Sequence, residues 1–418
     1  MLLNSANENI IIGYDLTNTC SQISYRYLKN GSTVETLTAV AGQENYDIPT
    51  VLCKKCGVNQ WLFGKEAVRF YENDPLEGIL VDDLVNLAVR GEMIQVGGKG
   101  YDPVSLLTLF VKRSLGLLNG IATLDRIYAI LFTCEVLTPR LIEVLTMVVN
   151  GLELRGTKVF FQSYEESFYG YMLHQQPELW KEQSILFDYR GDDIVTMMLK
   201  KNAKTTPIVA YVEKQESAFV GGDNEFLRMA KGAMEEQEIS SVYLIGEKFS
   251  GGWMDESLRY LCEGRRVFQG NNLYSKGACY CLQDRLMPGK QSKEFVFLGE
   301  DKLKSNIGMF VWKRGQESYF AILDAGVDWR DIAFECEIYL QDESRLELVV
   351  TPLLGGSKVN IVEIPLDGLY LKPGETTRIY MNFTMPEEKR LNVEIEDLGF
   401  GMFREPVETT WQKDILLD

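Results

Sequence analysis

Residues 10–26 read IIIGYDLTNTCSQISYR. An apolar run leads into Gly13 and Asp15, a polar cluster follows (Thr17, Asn18, Thr19, Ser21), and a second apolar run returns. Two runs of β-branched and aromatic residues around a short polar segment predict a β-hairpin. A carboxylate closes the first strand, with hydroxyls and backbone N–H groups in the turn. Such a turn can face phosphate oxygens while Asp15 holds a metal ion through water. A surface hairpin with a polar turn reads the same way, so the decision rests on whether matching segments recur in order.

A second segment of this kind, SILFDYRGDDIVTMMLKK, runs from Ser184 to Lys201, with a strand ending near Asp188, a tight turn and a return strand. Between the two, Asp102 and Thr138 sit as N-caps before Pro103 and Pro139, each opening a helix. The strands RIYAILFTCE and KVFFQ alternate with those helices, which predicts a layered α/β core with right-handed crossovers. SYEESFYGYML (163–173) is the next helix. SSVYLIGEKF (240–249) carries Gly246 and Glu247 at a strand end, and NNLYSKGACYCL (271–282) a closing helix with a Gly277–Ala278 step.

In this order the segments resemble the nucleotide motifs of DnaK-type heat-shock chaperones, within the actin and sugar-kinase superfamily. Asp15 to Ser21 are similar to D-L-G-T-T-N-S, and Asp188 onward to D-L-G-G-G-T-F-D. The segment at Gly246 is similar to V-L-V-G-G-S-T-R-I-P. The resemblance covers residues 10 to 283 and implies a divergent bacterial relative. It also implies a two-lobed actin-like ATPase fold over residues 1–286, a linker at 287–294 and an all-β sandwich over 295–418. It implies ATP or ADP with magnesium at Asp15, Thr17, Asn18, Thr19, Asp188, Gly191, Gly246 and Glu247, the metal held through water by Asp15 and Asp188. Candidates for catalysis are Asp15, Asp188, Glu165 and Glu166.

The departures are chemical. Thr17 and Arg190 stand where glycine would let the backbone approach a phosphate. Ser163 takes the place of the family's water-orienting glutamate, and a neutral hydroxyl does not orient water as a carboxylate does. Glu247 replaces a glycine, and the stretch before it is too short for the family's lid. Lys65, in the helix start after Phe63, reads as a solvated base and not as the family's catalytic lysine. The expectation is therefore a pseudo-ATPase scaffold whose β domain binds a protein or extended peptide, with a slow chaperone-like ATPase as the alternative. An ordinary sugar kinase lacks a visible substrate-binding acid.

Composition sets the outer bounds. At 418 residues, two or three domains are expected. A net charge of −17 argues against a nucleic-acid or anionic-membrane partner. No long apolar run or signal-peptide pattern is visible, so a cytoplasmic protein is expected. The eight cysteines are too sparse for a disulfide scaffold. Cys53 and Cys56 read as the turn of a hairpin, because a zinc site needs further ligands. The single histidine, His174, leaves no Ser–His or Cys–His dyad to expect. Beyond residue 295 the period changes to short alternating strands with Gly- and Pro-bearing turns, which predicts the antiparallel sandwich. Glu317, Arg345, Glu347, Lys358 and Glu394 are the charges expected to guard its edges.

Overall fold

A computed structural model describes residues 8–29, 31–38, 45–152, 154, 156–354 and 358–417. It resolves into two compact units, residues 1–200 with 212–292, and residues 201–211 with 293–418.

In the first unit β1 (Ile10–Leu16) is buried along its whole length, as a central strand with both faces covered must be. β2 (Cys20–Tyr27) returns antiparallel to it, and β3 (Glu35–Thr36) pairs with β2. Thr33 to Val40 (TVETLTAV) alternates as a third strand is expected to, and its last residues, Ala39 and Val40, lie outside the described residues. An insertion follows. β4 (Ile48–Pro49) pairs with β2, while β5 (Leu52–Lys55) and β6 (Trp61–Phe63) form the expected hairpin. After α1 (Gly64–Asn73) a strand, β7 (Gly78–Val81), joins β5 and separates α1 from α2 (Leu84–Arg90). The hairpin β8 (Ile94–Val96) and β9 (Lys99–Tyr101) leads to α3 (Pro103–Gly116). Then come β10 (Ile127–Cys134), α4 (Pro139–Gly151), β11 (Lys158–Ser163) and α5 (Tyr164–Leu173). The Asp102 carboxylate accepts from Ser105 N at 2.7 Å and the Thr138 hydroxyl from Leu141 N at 3.1 Å, so both expected caps form.

The second half repeats this order. β12 (Gln183–Arg190), β13 (Asp193–Asn202) and β14 (Ile208–Ala218) are followed by α6 (Asp223–Met234) and β15 (Ile239–Ile245). α7 (Asp255–Leu261), β16 (Arg266–Gln269) and α8 (Leu273–Leu286) complete it. The first sheet runs β11-β10-β1-β2-β3 and the second β16-β15-β12-β13-β14. In each, a hairpin supplies the first two strands, and two later strands add parallel to the first. Asp15 and Asp188 therefore occupy matching places near the ends of two equivalent central strands. α5 and α8 cross so closely that a Cβ on Gly277 would lie 1.9 Å from the Ser167 carbonyl oxygen. Only glycine fits there.

α9 (Lys290–Glu294), a five-residue helix, lies within the stretch expected as a linker, and the second unit begins at its Lys293. β17 (Phe295–Phe297) pairs with residues 208–210. β18 (Ser305–Lys313), β19 (Gln316–Leu323), β20 (Ala333–Gln341) and β21 (Arg345–Pro352) follow, then β22 (Asn360–Pro365), β23 (Thr376–Glu387), β24 (Arg390–Gly399) and β25 (Thr410–Leu416). They form two four-stranded sheets, β19-β18-β21-β22 and β20-β23-β24-β25. One core between residues 303 and 417 takes Ile307, Leu348 and Ile364 from the first sheet and Ile379, Phe383 and Ile395 from the second. Glu317 does lie on an edge strand, but Arg345, Glu347 and Glu394 stand on interior strands. Strand order in space is not chain order, and alternation alone does not tell an edge from an interior strand.

Candidate functional site: a closed polar junction

The two equivalent strand ends bring Asp15 and Asp188 to one place, and α5 and α8 supply what lies between them. Ser163 caps α5, accepting from Glu166 N at 3.4 Å, which fixes Tyr164 as the first helical residue. The Tyr164 hydroxyl donates to Asp15 Oδ1 at 2.5 Å. Tyr274, in the first turn of α8, donates to Asp188 Oδ2 at 2.9 Å. The two rings stack, with centroids 3.8 Å apart and planes 7° from parallel. Arg190 lies two residues beyond Asp188 on β12, so strand alternation puts both side chains on one face. Its Nε donates to Asp188 Oδ1 at 2.9 Å and its Nη1 to the Tyr164 oxygen at 3.2 Å. Its guanidinium carbon lies 5.3 and 5.2 Å from the two ring centroids.

The electrostatics follow from burial. Desolvation pushes the Asp15 carboxyl up to about 6, with Arg190 and the Tyr164 hydrogen bond opposing the rise. Asp188 is raised for the same first reason, with Arg190 and Tyr274 opposing. Burial, then the facing carboxylates, hold both tyrosine hydroxyls well above their ordinary value, so they remain protonated donors. For Arg190, burial alone would lower the pKa, but Tyr164, Asp188 and Asp15 outweigh it and keep the guanidinium charged. One cation and two tyrosine donors thus serve two carboxylates.

The other expected site residues take up structural work. Thr17 Oγ1 donates to the Cys20 carbonyl at 2.7 Å and closes its own turn, beside the exposed Thr19. Asn18 Oδ1 accepts from Asn86 N at 3.0 Å, in the first turn of α2. Gly191 turns the β12–β13 hairpin at φ 64°, and its carbonyl accepts from Lys248 Nζ. Gly246 has φ 106°, and a Cβ there would lie 2.2 Å from the Tyr189 carbonyl oxygen, so glycine is required by the fold. Glu247 is exposed at the start of a short 3-10 turn. Glu165 is paired with Lys214 at 3.2 Å and Glu166 with Arg285 at 2.8 Å. Lys65 bonds Asn45 at the surface. Cys53 is buried and Cys56 exposed.

Tyr164 and Tyr274 are the members of the junction that sequence reasoning missed. Arg190 carried a readable signal, a cation two residues beyond an acid in a strand. The tyrosines carried none, since each reaches an acid 149 or 86 residues away. A magnesium nucleotide does not fit these groups as arranged. Holding it would require both carboxylates to exchange protein donors for metal-bound water, and Arg190 to leave Asp188.

The fold and the junction define a mixed α/β protein with an internally repeated sheet, followed by an all-β unit. The chain belongs to the family of unknown function DUF5716, whose C-terminal model matches residues 33–300. A second model, the domain of unknown function DUF8552, matches residues 302–417. Among curated proteins none matches the chain. Among the described residues no helix is long and apolar enough to cross a membrane.

Proposed function

We propose that the chain is a divergent relative of the heat-shock chaperones, with a two-lobed actin-like fold that serves as a pseudo-ATPase scaffold. Its all-β unit, a sandwich in this reading, takes a protein or peptide partner. The reading is carried by one observation, the Arg190 guanidinium bonded to Asp188 and, through Tyr164, linked to Asp15. The charges that would hold a metal and phosphates are spent on each other. The repeated strand order with an acid at each central strand end supports the superfamily assignment.

Each lost charge-assisted hydrogen bond to a phosphate costs about 1.5–3 kcal/mol, so several together remove micromolar binding. Ser163 as a helix cap, with Glu165 and Glu166 in ion pairs, leaves the role of water orientation unfilled. A positioned acid–base group is worth about 10² to 10⁴ in rate. Calorimetric titration with Mg-ATP and Mg-ADP is expected to show no binding at micromolar concentration. Phosphate release should not exceed that of Asp188→Ala. Metal-dependent release well above that background would instead favour the slow ATPase, with Arg190 acting as a displaceable gate.

A further inference from the structure

The outward face of the sheet β20-β23-β24-β25 carries charge of nearly one sign. Its register sets Glu335, Asn382, Glu394 and Gln412 in one cross-strand row and Glu337, Tyr380, Glu396 and Thr410 in the next. The Tyr380 hydroxyl is raised by desolvation, by its hydrogen bond to Glu335 and by the charges of Glu396 and Glu394, which places three glutamates about one phenol. Arg378 is the one cation in the adjoining row, 3.6 Å from Glu337. Like charges on neighbouring strands destabilise a sheet, so the fold gains nothing from this crowding.

The same face runs into an apolar border. Tyr339 pairs with Arg378, and its ring lies 5.9 Å from Phe400, which is 6.1 Å from Phe403. Met402 is 101% exposed and Phe403 84%. The loop bearing them is fixed from beneath. Phe400 N donates to the Arg404 carbonyl at 2.8 Å, and Arg404 Nη1 donates to Asp397 Oδ2 at 2.6 Å. Val407 N donates to the same carboxylate at 2.9 Å. A buried ion pair thus holds in place a loop that leaves Met402 and Phe403 largely exposed. Rigid exposed apolar anchors beside an unbalanced charge are the makings of a docking surface.

We infer that this face docks a basic amphipathic segment of a partner protein. Its apolar side chains cover Tyr339, Phe400, Met402 and Phe403, and its lysines or arginines meet the four glutamates. Charge complementarity selects this occupant. A second copy would set carboxylates against carboxylates in a chain of net charge −17, and an anionic lipid surface is repelled likewise. The inference rests on the all-β unit being the partner-binding half and names the surface and the partner. It does not depend on the junction being closed, which the nucleotide titration decides separately.

The test uses the full chain and a synthetic helical peptide of about 18 residues, leucine on one face and lysine on the other. Control peptides carry glutamate for lysine, or serine for leucine. Two variants are compared with wild type: Met402→Ser with Phe403→Ser, which leaves the charge unchanged, and Glu335→Gln with Glu337→Gln, Glu394→Gln and Glu396→Gln. A third, with the same number of glutamates changed on the first unit (Glu235, Glu236, Glu238, Glu263), controls for overall charge. The Leu/Lys peptide is expected to bind, and each of the first two variants to weaken it at least about tenfold while the third does not. Equal binding by all variants overturns the surface and leaves the partner-binding reading standing. No binding of the peptide overturns the basic segment as occupant; retention of an extended-peptide array would then keep the unit as a binder by another surface. Met402- and Phe403-dependent flotation with phosphatidylserine vesicles, or a dimer lost in that variant on sedimentation, also overturns it in favour of lipid or a second copy.

Discussion

Replacing Arg190 by Gln asks most directly whether the junction is held by its charge. The substitution keeps a side chain of similar reach but removes the cation. Asp188, 6% exposed, loses the Nε hydrogen bond at 2.9 Å and its compensating charge, and the Tyr164 oxygen loses a donor at 3.2 Å. Breaking one side of a buried ion pair costs about 3–5 kcal/mol. The Arg190 side chain keeps 30% of its surface, so solvent already screens part of the pair and the lower end, about 3 kcal/mol, applies. The cost should depend on pH. At pH 8 the charged Asp15 lacks its cation, whereas near pH 5 protonation of Asp15, raised to about 6, relieves part of that cost and the loss should be smaller. Denaturant-dependent hydrogen exchange of β1 and β12 reads the first unit without interference from the second. A loss under about 1 kcal/mol at pH 8, or an equal loss at both pH values, would refute the argument that charge holds the junction. Adding Asp188→Asn to the variant should recover much of the loss, since the pair then disappears together.

Three further expectations concern one acid, one helix crossing and the isolated second core. Asp15 is raised from 3.8 to about 6, so the folded state binds the extra proton and this group's stabilisation, complete below pH 3.8, is lost as pH rises through 6; the span is worth about 3 kcal/mol. Asp15→Asn should therefore flatten the stability profile between pH 4 and pH 7, and an unchanged slope would count against the burial of that carboxyl. Gly277→Ala drives a Cβ into the Ser167 backbone and should cost about 3 kcal/mol or more, read as a lowered melting transition; a neutral result would mean α5 and α8 are further apart. Residues 302–417, which contain a complete core, should fold and unfold cooperatively when expressed alone, as judged by near-ultraviolet dichroism.

The sequence by itself determined the local facts, because these depend on neighbours along the chain. The apolar run Ile10–Ile12 marked the first strand of a hairpin, Asp-Pro and Thr-Pro pairs marked helix starts, and the change of period near residue 295 marked where helices give way to sheets. Asp15 and Asp188 were readable as strand-end acids for the same reason. Even there one local signal stopped short. The helix start after Phe63 was readable, but not that residues 78–81 beyond it would form β7 and pair with β5.

What tertiary structure alone decided is which side chains meet. Nothing in the local pattern of YEESF or LYSKG says that Tyr164 and Tyr274 stack on one another and each reach an acid on a different sheet. Nor does alternation in β20 and β24, which points Glu335, Glu337, Glu394 and Glu396 outward, say that β23 lies between them and gathers their charges on one face. A side chain's direction is set within a few residues by backbone geometry, but its partner is set by strand order and helix crossing. Those arise from burying the whole apolar surface at once, a condition that no short stretch of sequence contains.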